Sequence, residues 1–470
     1  MAVSATAQGG PELFEAVEGI SAPAVTSAGT GPWVLRQQLV RLNAEALDLD
    51  GASASEDVVL NLFPDVRYAF KRTGAAEVLP GGNLLWRAVS GNGDSGYAVL
   101  VIGEHGVRGN IADGAGRHFK IVPAYGQVQE LREVSAGFVD MTDDGEAPPI
   151  APGALAEESP HLALQVMAAQ GASSNVDVLV LYSPKARQFV GGQANVQALA
   201  DLVFAEMNQA LVASEVNAQV ALAGLVEVAF PNGEASNSSF LGEVRNTAAL
   251  QQLRDQYGAD LVSVWIDGSG SAGGIGYVMN AGAVGPGFAP YAYSVAEIEW
   301  VDGPVFAFAH EVGHNLGSGH DRNTGCDGGA FGYSCGFQQL AQAPHFHTIM
   351  AYQSGCSQCP KINQFSNPNV THQGMPTGVA TGPDSADNGR TFNQTTLIAS
   401  QFRDEVASGV PCDLSGEGAV NVVDVQLGIN QALGLATCGT ADISQDGSCN
   451  VIDVQRLINA AIGLGCQVGS

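Results

Sequence analysis

The sequence predicts a multidomain chain of the α/β (α+β) class. It divides into a β-rich region over 1–140, a linker over 141–173, a central domain with a twisted mixed sheet over 174–405, and a small all-α module over 406–470. Three patterns carry this reading. Short β-branched and aromatic runs between glycine-rich turns fill the first region, strand and helix patterns alternate in the central one, and the last holds an internal repeat. The length of 470 residues agrees, at about 150 residues per domain.

Composition narrows the function classes. Apolar residues make up 45% of the chain, enough for sizeable cores. With 47 acidic against 19 basic residues the net charge is −28, which repels phosphate backbones and argues against nucleic acid as a partner. No apolar run approaches the ~18 residues of a membrane-spanning helix. Residues 1–8 lack the charged start and apolar stretch of a signal peptide; Ala5-Thr6-Ala7 suits either the tail of a cleavage site or an ordinary flexible end.

In the first region, strands are expected over 58–63, 97–102 and 118–122, and His105 and His118 read as surface or strand histidines. The linker is acidic and contains proline, with Asp143, Asp144, Glu157 and Glu158. It has no Lys or Arg, the gap running from Arg132 to Lys185, so a protease that cuts after basic residues cannot sever it there. The central domain shows strands over 176–182, 220–230 and 259–266, with helices over 195–213 and 247–257 between them. That order argues a sheet with crossover helices. Residues 273–278 suit a further edge strand, since glycines weaken a central one, and 305–316 reads as a buried helix. From Gly317 onward the pattern is mostly irregular.

The strongest local signal is His310-Glu311-Val312-Gly313-His314-Asn315-Leu316-Gly317-Ser318-Gly319-His320-Asp321. Residues i and i+4 share a helix face, so His310 and His314 present two imidazoles to one metal. Glu311 then reaches a water beside the metal rather than the metal itself. Gly317 can end the helix at positive φ, and the turn returns His320 as a third ligand. Three nitrogens leave a fourth position open, the arrangement of a catalytic zinc.

These residues resemble the extended zinc motif of the metzincin metallopeptidases, and Asp321 resembles the reprolysin/adamalysin branch and its bacterial relatives. The resemblance covers about residues 174–405. It implies one catalytic Zn²⁺ on His310, His314 and His320, Glu311 as general base, and a zinc metalloendopeptidase acting on protein or peptide substrates. It also implies a methionine turn, which Thr348-Ile349-Met350-Ala351-Tyr352 fits, with Met350 as the packing floor. Tyr352 is similar to the tyrosine that astacins and serralysins use as an extra ligand or oxyanion stabiliser, a departure from typical reprolysins. Gly274-Ile275-Gly276-Tyr277 resembles the family's substrate-binding edge strand. His345 and His347 read as solvated loop histidines, and His372 is unassigned.

By the same analogy the N-terminal region looks like an inhibitory propeptide, with a plain accessory β-domain as the rival. No cysteine precedes Cys326, so a cysteine switch is absent. Latency is then expected from steric filling of the cleft or from a linker carboxylate near the metal. The eight cysteines form two sets of four, Cys326, Cys335, Cys356, Cys359 and Cys412, Cys438, Cys449, Cys466. Even, clustered counts suggest local disulfides and an exported, extracellular protein, with three pairings open in each set. A four-thiolate zinc site is the rival for the first set.

In the C-terminal module, residues 413–424 realign with 442–453, an offset of 29. Oxygen side chains fall at loop positions 1, 3, 5, 9 and 12, with glycine at 6, the plan of an EF-hand-like calcium loop. The candidate ligands are Asp413, Ser415, Glu417, Ala419 and Asp424, then Asp442, Ser444, Asp446, Ser448 and Asp453, for about two Ca²⁺. The pair resembles a type-I dockerin, which implies a cohesin or cell-surface partner through Val422-Val423 and Val451-Ile452, pairs equally suited to internal packing. A catalytically inactive calcium-binding scaffold or adhesin is the alternative to a protease; the intact Glu311 argues against it.

Overall fold

Alternating and β-branched runs build the N-terminal part of the molecule, a computed structural model that describes residues 10–17, 33–53, 55–92, 95–135, 173–268, 273–353, 355–356, 359–404, 412–415, 420–439, 441–462 and 465–469. Its strands are β1 (Phe14–Ala16), β2 (Val34–Leu42), β3 (Asp57–Phe63), β4 (Val66–Arg72), β5 (Glu77–Val78), β6 (Leu84–Ser90), β7 (Tyr97–Gly103), β8 (Gly106–Ala112), β9 (His118–Tyr125) and β10 (Val128–Val134), with one helical turn, α1 (Ala44–Leu47), after β2. They form one sheet in the order β1-β2-β10-β9-β8-β7-β6-β4-β3, with β5 beside β6. The two ends of that path meet: Leu13 N–H donates to Val59 O and Val59 N–H to Pro11 O, each at 2.9 Å. The sheet thus curls around Leu60, Phe70, Trp86, Leu100, Phe119 and Ile121, which removes its open edges.

The expected strands at 58–63, 97–102 and 118–122 are β3, β7 and β9. The others escape a sequence reading because charged residues interrupt them. Strand β10, Val-Gln-Glu-Leu-Arg-Glu-Val, is buried along its whole length, and its charges are paired, Arg132 with Glu130 and Glu133 with Arg36 and Arg117.

The central sheet has the order β12-β11-β13-β15-β14, built from β11 (Ser174–Tyr182), β12 (Ala218–Glu227), β13 (Leu261–Ile266), β14 (Gly274–Gly276) and β15 (Tyr293–Glu297). Its first four strands are parallel, and β14 runs antiparallel along the edge of β15, as the glycine argument predicts. The helices are α2 (Pro184–Val190), α3 (Gln193–Ala213), α4 (Ser238–Asn246), α5 (Ala248–Gln256), α6 (Ala307–Asn315) and α7 (Asn388–Ala399). Helices α3 and α6 meet through Phe204 and Phe308, with ring centroids 4.9 Å apart. The mostly irregular chain expected after Gly317 is interrupted by α7, whose buried residues include Asn388, Thr391, Thr395 and Thr396 beside Phe392, Ile398 and Ala399, so its apolar periodicity is weak.

The N-terminal sheet packs along α3. Leu85, Tyr97, Val99, Val101 and Ala112 close on Ala198, Leu202 and Ala205. Beside them lies a buried polar cluster: Lys120 Nζ donates to Asp302 Oδ1 at 2.6 Å, and Asn110 Nδ2 to Glu206 Oε1 at 2.9 Å and Asp302 Oδ2 at 3.1 Å. Asp143, Asp144, Glu157 and Glu158, the linker carboxylates offered as the alternative to steric filling as a source of latency, lie outside the described residues.

All eight cysteines are paired, as Cys326–Cys335, Cys356–Cys359, Cys412–Cys466 and Cys438–Cys449, which excludes the thiolate zinc site. At the C-terminal end, α8 (Val422–Ala432) and α9 (Val451–Ala461) approach so closely that a Cβ on Gly428 would fall 2.1 Å from Leu457 Cδ1.

Candidate active site

Helix α6 carries the site and is buried from end to end. It is held to the sheet by Asn315, whose side-chain amide donates to Tyr277 O at 2.8 Å and Tyr293 O at 3.2 Å. That residue has no signal in sequence, because an Asn directly after the second helix ligand looks like any polar position. The helix ends at Gly317, where φ is +93°. There a Cβ would sit 2.8 Å from that of Ala330, so glycine is required for both conformation and space. The turn is secured by Ser318 N–H to Gly313 O at 2.9 Å and by Thr395 Oγ1 of α7 donating to Leu316 O at 2.6 Å.

The turn brings the three predicted histidines together. His310 Nδ1 lies 2.9 Å from Ile349 O and His314 Nδ1 lies 2.8 Å from Ser318 O, which fixes both rings with Nε2 turned inward. His314 Nε2 and His320 Nε2 are 3.0 Å apart. The candidate donor atoms of all three histidines lie within 4.8 Å of one another. Tetrahedral zinc with bonds of about 2.0–2.1 Å needs nitrogens only slightly farther apart than 3.0 Å, so this donor set fits the ion. It is also the one cluster among the described residues that could hold a metal in this way.

Around it stand the other expected residues. Met350 is fully buried beneath α6, and a Cβ on Gly313 would lie 2.5 Å from its Sδ, so Gly313 makes room for that floor. Tyr352 places its hydroxyl 3.0 Å from His320 Nε2. Asp321 closes the turn after His320, accepting from Asn323 N–H at 2.9 Å, Thr324 Oγ1 at 2.8 Å and Tyr352 N–H at 3.1 Å. Edge strand β14 lies against the carboxylate that follows His310. A Cβ on Gly274 would come 2.5 Å from Glu311 Oε1, and one on Gly276 would come 2.9 Å from Glu311 O.

One histidine departs from expectation, while His118, read as a surface or strand histidine, opens strand β9. His347, read as solvated, is 2% exposed. Its pKa is held well below the ordinary value, first by burial and then by Lys361 and His118. His118 is also buried, which lowers it to about 4. His345 is exposed, and His372 packs its ring edge-on against Phe346. Sequence reasoning also passed over Lys361, which donates to Ile349 O at 3.2 Å, the carbonyl that receives His310.

The C-terminal loops are laid out apart from this site. Asp424 accepts from Ser415 N–H at 2.9 Å and Asn421 N–H at 2.7 Å, and Asp453 accepts from Ser444 N–H at 2.7 Å and Asn450 N–H at 2.8 Å. Asp442 takes the N–H groups of Asp446 and Gly447 at 3.1 and 2.9 Å, while Ser415 Oγ donates to Asp413 at 2.9 Å. Ser448 N–H donates to Asp446 at 2.9 Å; Glu417 and Ala419 lie outside the described residues. Val422 and Val451 are each 77% exposed, so the option of internal packing for those pairs is corrected.

Residues 172–366 match Reprolysin_5, metallo-peptidase family M12. A peptidyl-Asp metalloendopeptidase of Xanthomonas campestris pv. campestris is 27% identical over 426 residues, covering 86% of this chain and 96% of that protein. One from Stenotrophomonas maltophilia is 30% identical over 246 residues, 50% of this chain and 54% of its own length. One from Pseudomonas fragi is 35% identical over 98 residues, 21% and 59% respectively. The chain therefore spans nearly all of the first relative and a little over half of the other two. With a segment like family M12 around three convergent histidines, the chain is a metalloendopeptidase.

Proposed function

We propose that this is a secreted zinc metalloendopeptidase, made as a zymogen, that cuts protein chains at aspartate residues. The observation that carries the reading is the convergence of His310, His314 and His320 beside Glu311, under the glycines of β14. The aspartate preference follows the names of the relatives, the four disulfides support an oxidising compartment, and the N-terminal sheet is the candidate inhibitory part.

His310, His314 and His320 would hold the zinc, which when bound supplies a Lewis acid and lowers the pKa of a neighbouring water. Glu311 takes the proton of the attacking water on its carboxylate and delivers it to the leaving amine nitrogen. Tyr352 O–H, held beside His320, donates to the oxygen on which negative charge develops. The backbone of β14 pairs with an extended peptide and orients the scissile bond above Glu311. Buried Met350 keeps the imidazoles from moving as charge changes around them. In the C-terminal module, Asp413 to Asp424 and Asp442 to Asp453 are proposed as two calcium loops with a dockerin-like docking face.

Metal analysis of the purified chain tests the assignment. One zinc per chain is expected in wild type, with retained zinc and lost turnover in Glu311→Ala and lost zinc in His314→Ala. A His314→Ala chain that keeps zinc and activity would overturn it.

A further inference from the structure

The strand proposed to pair with substrate is short. β14 has three residues, two of them glycine, and lies at the end of the sheet beside β15, with Gly274 opposite Ala296 and Gly276 opposite Ser294. Glycine has the most backbone freedom to lose, so such a strand keeps its place when its ends are tied down. The far end is tied by Asn315, whose amide donates to Tyr277 O at 2.8 Å.

We propose that Glu297 ties the near end and is a positioning residue for the strand that receives the peptide. This rests on the pairing of β14 with an extended peptide argued above. Glu297 closes β15, and its N–H donates to Gly273 O, just before β14, at 2.9 Å. Its Oε2 accepts from Gly268 N–H at 2.8 Å, and its Oε1 accepts from the Ser236 hydroxyl at 3.1 Å. One residue thus holds both Gly268, just past β13, and Gly273, where the chain enters β14. A Cβ on Gly268 would lie 2.9 Å from Glu297 Oε1 and 3.1 Å from Glu234 O, so glycine lets the carboxylate come this close. Gly274 follows directly, the residue whose Cβ would meet Glu311 Oε1 at 2.5 Å. The position that Glu297 sets is therefore passed to the place where a paired peptide meets the general base.

Glu297 is buried and faces other charges, Asp267 beyond β13 and Glu234 before α4, the latter paired with Lys185 of α2 at 3.2 Å. Burial first pushes its carboxyl up to about 7, opposed by Gly268 N–H and the Ser236 hydroxyl, with Asp267 and Glu234 adding to the rise. A protonated carboxyl has less acceptor capacity for those two donors. The clamp is thus complete above that value and slackens as pH falls through it.

The test compares two peptides with the same scissile bond, one long enough to lie along β14 and one cut back to the residues flanking that bond. Wild type, Glu297→Gln, Glu297→Ala and Ser236→Ala are measured for the long/short ratio of kcat/KM across the pH range around 7. Both the full-length chain, in which β14 is buried, and any self-trimmed form are assayed. Affinity for the two peptides is measured in the Glu311→Gln background, where no turnover is needed. The ratio is expected to fall about 10- to 100-fold in Glu297→Ala, in turnover and binding, and less in Glu297→Gln, whose amide oxygen still accepts from Gly268. In wild type the ratio should decline as pH falls through 7, and that step should vanish in Glu297→Gln. Should Glu297→Ala fail to fold, the near-isosteric Gln variant carries the test through this step. A variant that only weakens the fold or shifts Glu311 lowers both peptides together and leaves the ratio alone, which overturns the assignment. So does a pH step that persists in Glu297→Gln. Wild type that gains nothing from the longer peptide overturns the pairing reading and the clamp with it, whereas a gain that Glu297→Ala keeps overturns the clamp alone.

Discussion

The backbone N–H of Tyr352 donates to Asp321 Oδ2 at 3.1 Å, across 31 positions of sequence. Through that bond the residue after the last histidine fixes Tyr352, whose hydroxyl lies 3.0 Å from His320 Nε2. The two halves of the site, helix turn and methionine turn, are thus joined by one buried carboxylate that also caps its own turn. Replacing Asp321 with Ala removes the acceptor of the buried Tyr352 N–H and of the part-buried Asn323 N–H and Thr324 hydroxyl. A loss of about 2–4 kcal/mol is expected, read as a fall in thermal midpoint together with weaker zinc retention on dialysis.

Tyr352→Phe removes only the hydroxyl. If that group donates to the developing oxyanion, kcat should drop about 10- to 100-fold while KM and zinc stoichiometry hold. Steady-state kinetics on a peptide beside metal analysis checks this; an equal fall in zinc content would instead mark Tyr352 as a ligand.

Gly274→Ala puts a methyl 2.5 Å from Glu311 Oε1, and Gly313→Ala puts one 2.5 Å from Met350 Sδ. The first should displace the carboxylate and lower kcat strongly with little change in melting temperature. The second should destabilise the fold by about 1–3 kcal/mol. Kinetics and melting curves on the same pair of proteins separate the two effects.

The cluster between the N-terminal sheet and α3 predicts a pH dependence. Burial first, and then the neighbouring Asp302 carboxylate, push the Glu206 carboxyl up to about 8, against the opposing Gly303 N–H, Asn110 and Lys120. Glu206 is therefore protonated in the folded chain at pH values where it would ionise in the unfolded one. The stability from that proton is whole below the ordinary glutamate range and is lost as pH rises towards 8. Thermal midpoints should decline from pH 5 to 8 in wild type, and the slope should flatten in Glu206→Gln.

What sequence made legible, and what it hid, divides along physical lines. The spacing of His310, His314 and His320 needs only helix period and a glycine turn, so the metal cluster was readable, as was the edge placement of β14 from its glycines. Helix α7 was not, because its threonine hydroxyls, satisfied by backbone carbonyls, and its Asn388, satisfied by a serine, bury as well as leucines do. Ser318 Oγ, for example, donates to Asn388 Oδ1 at 2.7 Å. Strand β10 hid for the same reason, its charges being paired. Lys361 and Asn315 act through backbone carbonyls distant in sequence, a relationship that no local pattern encodes. The cysteine pairing needed coordinates, since each set of four allows three arrangements.

Time-resolved intact-mass spectrometry tests the central claim most directly. Wild type and Glu311→Ala are each incubated with an unstructured protein, with and without a zinc chelator. Fragments of the substrate ending or beginning at aspartate should accumulate with chelator-free wild type alone, accompanied by trimming of the chain within 136–172. Wild type that carries one zinc, has residues 1–172 removed, and still leaves the substrate intact would contradict it.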